Sequence, residues 1–255
     1  MERTIRVQLA AGGVVLALGI GASIITSTIV ASRAYERRGQ QAQSATRELS
    51  VKGSARQRVV SDQADWIVTV RGEGKTLAEA YGRVEAAEAR VRALLTAAGF
   101  PPAEVESGAI ETGTRFERNA KGEPTNTVES YELARPVQIS TARVDLVAAT
   151  AGEVTKLLKE NVQVVSSPPR FSYSKLPEMR ITLAGEAAKD ARARAEELAG
   201  KSGGAITGIR SVSAGPIQVT QPNSTNASSF GSYDTSTIAK DVWMSVSATF
   251  GVENR

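Results

Sequence analysis

The sequence predicts an α+β protein in which a single amino-terminal transmembrane helix precedes one domain of mixed antiparallel sheets and about three amphipathic helices. Three observations lead to this prediction. Residues 7–32 carry no charged side chain, several later segments alternate apolar and polar residues, and others repeat apolar residues at helical spacing. We therefore divide the chain into a short tail (1–6), a transmembrane anchor (7–32), a juxtamembrane stalk (33–45) and a large domain (46–252).

The run from Val7 to Ser32 is longer than the roughly 20 apolar residues that a helix needs to cross a bilayer. Arginines flank both of its ends: Arg3, Arg6, Arg33, Arg37 and Arg38. The alternative interpretation is a cleaved signal peptide, because small residues at 30–34 would suit a signal peptidase. The apolar region of such a peptide is usually only about 7 to 15 residues long, which favours an uncleaved anchor.

Small residues recur every fourth position along the predicted anchor, at Gly13, Ala17 and Gly21. This spacing places them on one helix face and predicts close packing between transmembrane helices of neighbouring copies. The alternative is that glycine and alanine are simply common in membrane helices.

The domain begins with strand-like runs at 47–53, 55–61 and 64–70, and Trp66 is predicted to pack in the core. The next residues, Arg71–Thr76 (RGEGKT), lie between a strand and a helix, as a phosphate-binding loop would. A Walker motif requires glycine at position 69 and a dinucleotide fingerprint requires glycine at position 77, and neither is present. The two glycines of this segment are therefore interpreted as a turn.

Thr76, followed three residues later by Glu79, forms a capping box that predicts a helix running to Ala98. Gly99 is predicted to end this helix. An extended arm, residues 115–130, then turns at a polar hairpin tip.

Within this arm region, Phe116 and Tyr131 are predicted to contact neighbouring subunits. The remaining predicted elements, in chain order, are a strand at 127–141, a helix at 143–161, a strand at 162–174 broken by two prolines, a helix at 185–201 with an alanine stripe, a strand at 206–212, a mobile polar loop at 214–236 and a closing strand at 242–250.

Composition argues against several classes of function. The 255-residue chain contains no cysteine and no histidine, which removes thiolate chemistry, the Ser-His-Asp triad and the commonest metal ligand. Five arginines and two glutamates lie within residues 1–38, so these residues hold +3 of the net charge of +4. The domain itself is therefore nearly neutral, and we expect no nucleic-acid binding, no catalytic residue, no metal site and no cofactor.

Carboxylate pairs leave one alternative open. Asp62 with Asp65, or Glu129 with Glu132, would suit a ligand-binding or enzymatic domain that uses acid–base chemistry. Such pairs are more often solvated acids of turns and surfaces. We accordingly predict a protein that is not an enzyme.

Several segments together resemble the SIMPL-domain family, also called YggE-like or periplasmic immunogenic proteins. They are the strand Leu49–Gly53, the helix ending at Gly99-Phe100 with the following Glu106-Ser107, the strand through Tyr131, the helix with Ala191, Ala195, Leu198, Ala199 and Lys201, the strand Ile206–Ile209 and the last strand Val242–Phe250. The resemblance covers residues 46–252 and lies in the order and spacing of these segments.

The resemblance implies an α+β envelope protein that faces the periplasm, with some relatives forming hollow homo-oligomeric rings and with a loose link to stress tolerance. No catalytic residue is carried over. We therefore expect a single-pass protein of the bacterial inner membrane, with a cytoplasmic tail and a periplasmic domain. Its expected partners are the lipid bilayer and further copies of itself, in a scaffold, a cage or ring, or alternatively a channel-like conduit.

Overall fold

The computed structural model describes residues 47–254, which form two compact units. The first unit comprises Ala191–Ser213 and the described parts of Met1–Lys52 and Ser247–Arg255. The second unit comprises Gly53–Asp190 and Ala214–Val246.

A six-stranded sheet organises the second unit, with the order β3-β5-β2-β6 and with β4 and β7 paired to β5 and β2. Its strands are β2 (Gln63–Gly74), β3 (Val105–Ser107), β4 (Glu111–Arg118), β5 (Pro124–Thr141), β6 (Val164–Ser166) and β7 (Arg170–Ser172). β2 and β5 pair antiparallel from Ala64 to Gly74, with Trp66 opposite Ile139. Alternate residues of β2 are buried, so one face of this strand lies against the core.

Helix α1 (Leu77–Ala98) and helix α2 (Val144–Thr150) cover the buried face of this sheet. As predicted, the Thr76 hydroxyl accepts from the Glu79 backbone N–H at 3.2 Å, and Gly99 ends α1 in the left-handed conformation. Trp66 is fully buried, as the sequence predicts, and its indole N–H donates to Ser166 at 3.0 Å.

The second sheet has five strands, with the order β1-β11-β9-β10 and with β8 also paired to β11. Its strands are β1 (Glu48–Val60), β8 (Gly204–Ala214), β9 (Gln218–Thr220), β10 (Ser232–Tyr233) and β11 (Ala239–Asn254). Helix α3 (Leu176–Lys201) buries Met179 and Leu183 in a cluster of the second unit and Ala191 and Ala195 in a cluster of the first.

The structure corrects two of the predicted helices. The predicted helix 143–161 breaks after α2, and Val154–Glu160 forms a 3-10 helix instead. Gly152 lies at the break, where its carbonyl accepts from the Thr155 hydroxyl at 2.7 Å. Helix α3 begins at Leu176 rather than at 185, since Pro177 is tolerated in a first helical turn.

The strands also differ in detail from the prediction. β1 is one strand through Gly53, where the sequence predicts two separate runs, 47–53 and 55–61, and the backbone N–H of Ser54 donates to Asp190 at 2.8 Å. Gly72 and Gly74 lie within β2 rather than in a turn. Two short strands, β9 and β10, lie within the loop predicted at 214–236.

None of the helices formed by residues 47–254 has the length and apolarity that a membrane crossing demands. The predicted anchor, with Gly13, Ala17 and Gly21, lies outside the described residues. The α+β class, with mixed antiparallel sheets and three α-helices, is confirmed for the part of the chain that the structure describes.

Candidate functional site

The most exposed regular structure of the second unit is the hairpin formed by β4 and the first half of β5. Every residue of β4 is exposed, and so are most residues of β5 as far as Glu129. β4 pairs antiparallel with β5 and has no second strand neighbour in residues 47–254. This hairpin, residues 111–130, corresponds to the arm predicted from the sequence, and we call it the arm.

The tip of the arm is fixed by its own hydrogen bonds. The Asn119 side-chain oxygen accepts from the backbone N–H groups of Lys121 (2.9 Å) and Glu123 (3.0 Å). Gly122 has a φ of +82°, a left-handed conformation that glycine adopts without strain, and its carbonyl accepts from Arg118 at 2.7 Å. The arm therefore ends in a defined turn.

Phe116 and Val128 face each other across the two strands of the arm, and their exposed fractions are 42% and 38%. Such an apolar pair contributes little to the core, so it is available to another surface. Tyr131, the other predicted contact residue, is partly buried and packs against the core of the second unit. The structure thus places Phe116 on the open arm and Tyr131 at its base.

A charged group forms the base of the arm. Arg115 pairs with Glu132 and lies 3.6 Å from a carboxylate oxygen of Glu73, and the Ser130 hydroxyl donates to Glu73 at 2.7 Å. The hydrogen bond with Glu132 is the main cause that raises the pKa of Arg115, and the nearby charges of Glu73 and Glu129 add to it. This cation therefore stays charged and holds the two strands to β2.

Two clefts open beside the carboxyl end of β2, with volumes of about 430 Å³ and 400 Å³. Arg71, Glu73 and Gln163 line both of them. The larger cleft is completed by the base of the arm, including Glu111 and Arg115, and the smaller one by helix α1. We call the smaller one the α1 cleft.

Glu88 of α1 ties the helix to the sheet. Its carboxylate accepts from Arg135 at 2.6 Å and from Arg92 at 2.9 Å, and it also bonds to the Ser107 hydroxyl. Burial alone would raise the pKa of Glu88, but the hydrogen bonds from Ser107, Arg135 and Arg92 outweigh burial and lower that pKa to about 2. Glu88 is a structural anion, because all of its partners belong to the fold.

The two predicted carboxylate pairs differ in whether their members share a partner in the structure. Asp62 accepts from the backbone and the hydroxyl of Ser174 at 2.8 and 2.7 Å, whereas Asp65 accepts from Ser140 at 2.8 Å. Burial would raise the pKa of Asp62, and the hydrogen bonds from Ser174 overcome this and lower it. Asp62 and Asp65 therefore each support a separate part of the fold.

Glu129 and Glu132 are brought together, since both act on Arg115. Arg115 lies opposite Ser130, and the next residue of β4, Phe116, lies opposite Val128. Glu129 therefore has no partner in β4, which marks a β-bulge. Sequence reasoning missed Glu73, the third carboxylate of this group. The signal that could identify Glu73 is its position opposite Glu132 in the pairing of β2 with β5. This signal becomes visible only when the register of the two strands is known.

Among residues 47–254, no three acidic side chains come close enough together to hold a metal ion. The arm and the clefts contain ion pairs and exposed strand backbone. Such a surface is suited to contacts with another molecule.

A protein-family model matches most of the chain. The model is SIMPL, described as a protein of unknown function (DUF541), and it matches residues 49–250. A search of curated proteins finds no match.

Solved structures are similar only at a low level. The de novo designed protein Foldit4 is 16% identical, with 40% of this chain and 93% of that chain covered and a TM-score of 0.20. A hydantoinase/carbamoylase family amidase from Burkholderia ambifaria is 15% identical, with 50% and 34% covered and a TM-score of 0.24. The ligand-free regulatory subunit of aspartate kinase from Thermus thermophilus is 12% identical, with 78% and 87% covered and a TM-score of 0.19.

Proposed function

The chain belongs to the SIMPL family, whose function is unknown, and from this premise we propose that it is a non-enzymatic scaffold of the cell envelope that assembles with copies of itself. The observation that carries the proposal is the exposed arm. It presents a strand edge without a partner in residues 47–254 together with an apolar cross-strand pair, Phe116 and Val128.

An exposed strand edge is a ready template for pairing with another chain, because its backbone N–H and C=O groups lack strand partners. Native proteins usually shorten or cover such edges, yet β4 is eight residues long and exposed throughout. A neighbouring strand added to β4 would satisfy its outer backbone groups and cover Phe116 at the same time.

Strand β8 of the first unit offers a second surface of this type. It pairs only with β11 among the described strands, and it exposes Ile209 (59%) and Val212 (51%). Assembly into a closed ring requires two different surfaces on each copy, one for each neighbour. We propose that the arm and β8 supply these two surfaces.

The proposed scaffold is held at the bacterial inner membrane by Val7–Ser32, with its domain in the periplasm. The uncharged length of this segment and the arginines on both of its flanks support the membrane anchor, and the resemblance to periplasm-facing proteins supports the placement of the domain. Gly13, Ala17 and Gly21 would let the anchors of neighbouring copies pack closely.

A non-enzymatic role is supported by the amino-acid composition and by the hydrogen bonds that the carboxylates accept. The chain has no histidine or cysteine, and Asp62, Asp65 and Glu132 each accept hydrogen bonds from nearby side chains. A general acid or base would instead need an open path to a substrate proton.

Native mass spectrometry of the full chain, extracted in a mild detergent, tests the proposal. We expect an oligomer for the natural sequence and a smaller or monomeric particle for the double variant Phe116→Ser/Val128→Ser. Phe230→Ser is the matched control, because Phe230 is 96% exposed on the loop between β9 and β10 and lies outside the arm. A strictly monomeric natural chain at micromolar concentration, or equal loss in the control, would refute the proposal.

A further inference from the structure

The larger of the two clefts opens on the face of the six-stranded sheet that α1 does not cover. A Cβ atom on Gly72 would meet Ala80 and Val84 of α1, so the neighbouring residues of β2, Arg71 and Glu73, point to the opposite face. The cleft has a volume of about 430 Å³, within the range of roughly 300 to 1,000 Å³ that is typical of small-molecule sites. All the residues that line it belong to the second unit.

One row of paired residues crosses this cleft from strand to strand. Arg71 of β2 pairs with Ala134 of β5, and Ala134 pairs on its other side with Glu111 of β4. Directly paired residues of antiparallel strands point to the same face of a sheet, so all three side chains lie on the face that forms the cleft. Neighbouring strands are about 4.8 Å apart, which separates the Cα atoms of Arg71 and Glu111 by about 10 Å.

Small residues form the floor of the cleft. Ala134 lies between Arg71 and Glu111, and in the next row Gly113 of β4 pairs with Glu132 of β5. A Cβ atom on Gly113 would lie 3.8 Å from the Cβ of Glu132, so these two positions share the cleft face. Because neither Ala134 nor Gly113 has a large side chain, a depression remains between the charged residues around it.

Around the depression, two charged side chains lack a counterion among residues 47–254. Arg115 pairs with Glu132 and lies 3.6 Å from Glu73, so these three charges partly compensate one another. Arg71 and Glu111, in contrast, make no side-chain hydrogen bond or ion pair with any residue of 47–254. A cation and an anion therefore line one cleft without pairing with each other.

We propose that this cleft binds a small zwitterion with the charge pattern of a free amino acid, whose carboxylate is bound by Arg71 and whose ammonium group is bound by Glu111. A guanidinium group offers parallel N–H donors that match the two oxygens of a carboxylate. A glutamate carboxylate accepts hydrogen bonds from an ammonium group, which has three donors. Glu73 and Glu132 exceed Arg115 by one charge, which also attracts an ammonium group to the cleft.

Isothermal titration calorimetry of the detergent-solubilised full chain tests the site, at an ionic strength of about 0.1 M in a buffer without carboxylates or primary amines. L-Alanine is the zwitterionic probe, and propionate and ethylamine each carry only one of its two charged groups. We expect saturable binding of L-alanine, at least about tenfold tighter than that of either analogue, because each analogue loses one charge-assisted contact. Arg71→Gln and Glu111→Gln should each weaken the binding of L-alanine by a similar factor.

The matched controls are Arg180→Gln and Glu178→Gln, which remove the same charges from exposed positions of α3 that do not line the cleft. We expect their affinities to stay within about twofold of the natural chain, because distant exposed charges are largely screened.

Ala134→Leu tests the shape of the site separately, because it keeps both charges and fills the floor of the cleft. This variant should also weaken the binding of L-alanine at least about tenfold. The proposal would be overturned if L-alanine showed no saturable binding, or if either analogue bound as tightly as L-alanine. Equal losses in the cleft variants and the controls, or unchanged binding in Ala134→Leu, would overturn it as well.

Discussion

At the scale of single residues, Gly72 determines how closely helix α1 approaches the sheet. A Cβ atom at this position would lie 2.5 Å from the Ala80 carbonyl oxygen and 2.9 Å from the Val84 backbone nitrogen. Both are backbone atoms, so they cannot rotate away as the end of a side chain could. Glycine is thus required in β2 because α1 packs directly on the strand backbone.

Replacing Gly72 with alanine should therefore destabilise the second unit by about 2 kcal/mol, because the helix must shift away from the strand. Gly82→Ala is the matched control, since no atom lies within 4 Å of a Cβ at this position of α1. That change should stabilise the unit by about 0.5 to 1 kcal/mol, as alanine favours the helix. Both tryptophans, Trp66 and Trp243, lie in the second unit, so their fluorescence in a denaturant titration measures these changes. Equal effects of the two changes would refute this role of Gly72.

At the scale of elements, helix α3 buries a stripe in which every fourth residue faces inward. The stripe begins with two large residues and continues with four alanines, in the order Met179, Leu183, Ala187, Ala191, Ala195 and Ala199. In the first unit the alanines pack beside Phe250 and Val51, whose side chains fill the space. Small residues here allow the helix to lie close to the strands.

A larger side chain in the alanine stripe should force the helix off the strands. Ala195→Leu places a leucine at a position with no exposed surface, and we expect a loss of about 1 to 3 kcal/mol in the first unit. Ala193→Leu is the matched control, since Ala193 is exposed on the same helix and the change there should cost less than about 0.5 kcal/mol. Hydrogen exchange of the amides in α3 and β8, followed by mass spectrometry, measures the loss of stability in both variants. Unchanged protection in Ala195→Leu would contradict the close packing described here.

At the scale of the whole molecule, the dependence of stability on pH follows from the partly buried ion pairs that join elements. Glu88 has a pKa of about 2 in the folded protein, against an ordinary value of 4.5. Because the folded state binds a proton less readily than the unfolded chain, Glu88 stabilises the fold fully above its ordinary pKa. This contribution is lost as the pH falls from about 4.5 to about 2.

Glu88→Gln should lower the free energy of unfolding of the second unit by about 2 kcal/mol at pH 7, after allowance for partial exposure to solvent. The difference from the natural chain should shrink steadily below about pH 4.5, because protonation then removes the same charge from the natural protein. The control is Glu85→Gln, an exposed position on the same helix, where we expect a change within about 0.5 kcal/mol at every pH. Tryptophan fluorescence in denaturant titrations from pH 7 to pH 3 provides the measurement. A difference that stays constant with pH would show that Glu88 acts through packing and not through charge.

The sequence by itself determined the α+β class, the family, the cap of α1 at Thr76 and the end of that helix at Gly99. These features depend on periodicity and on contacts within a few residues, which the order of side chains expresses directly. Only the tertiary structure decided that Gly72 lies under a helix and that Glu73 joins Glu129 and Glu132 around Arg115. Each of these relations joins residues on different elements, and it depends on strand register and helix packing, which are set by burial over the whole unit and not by local spacing.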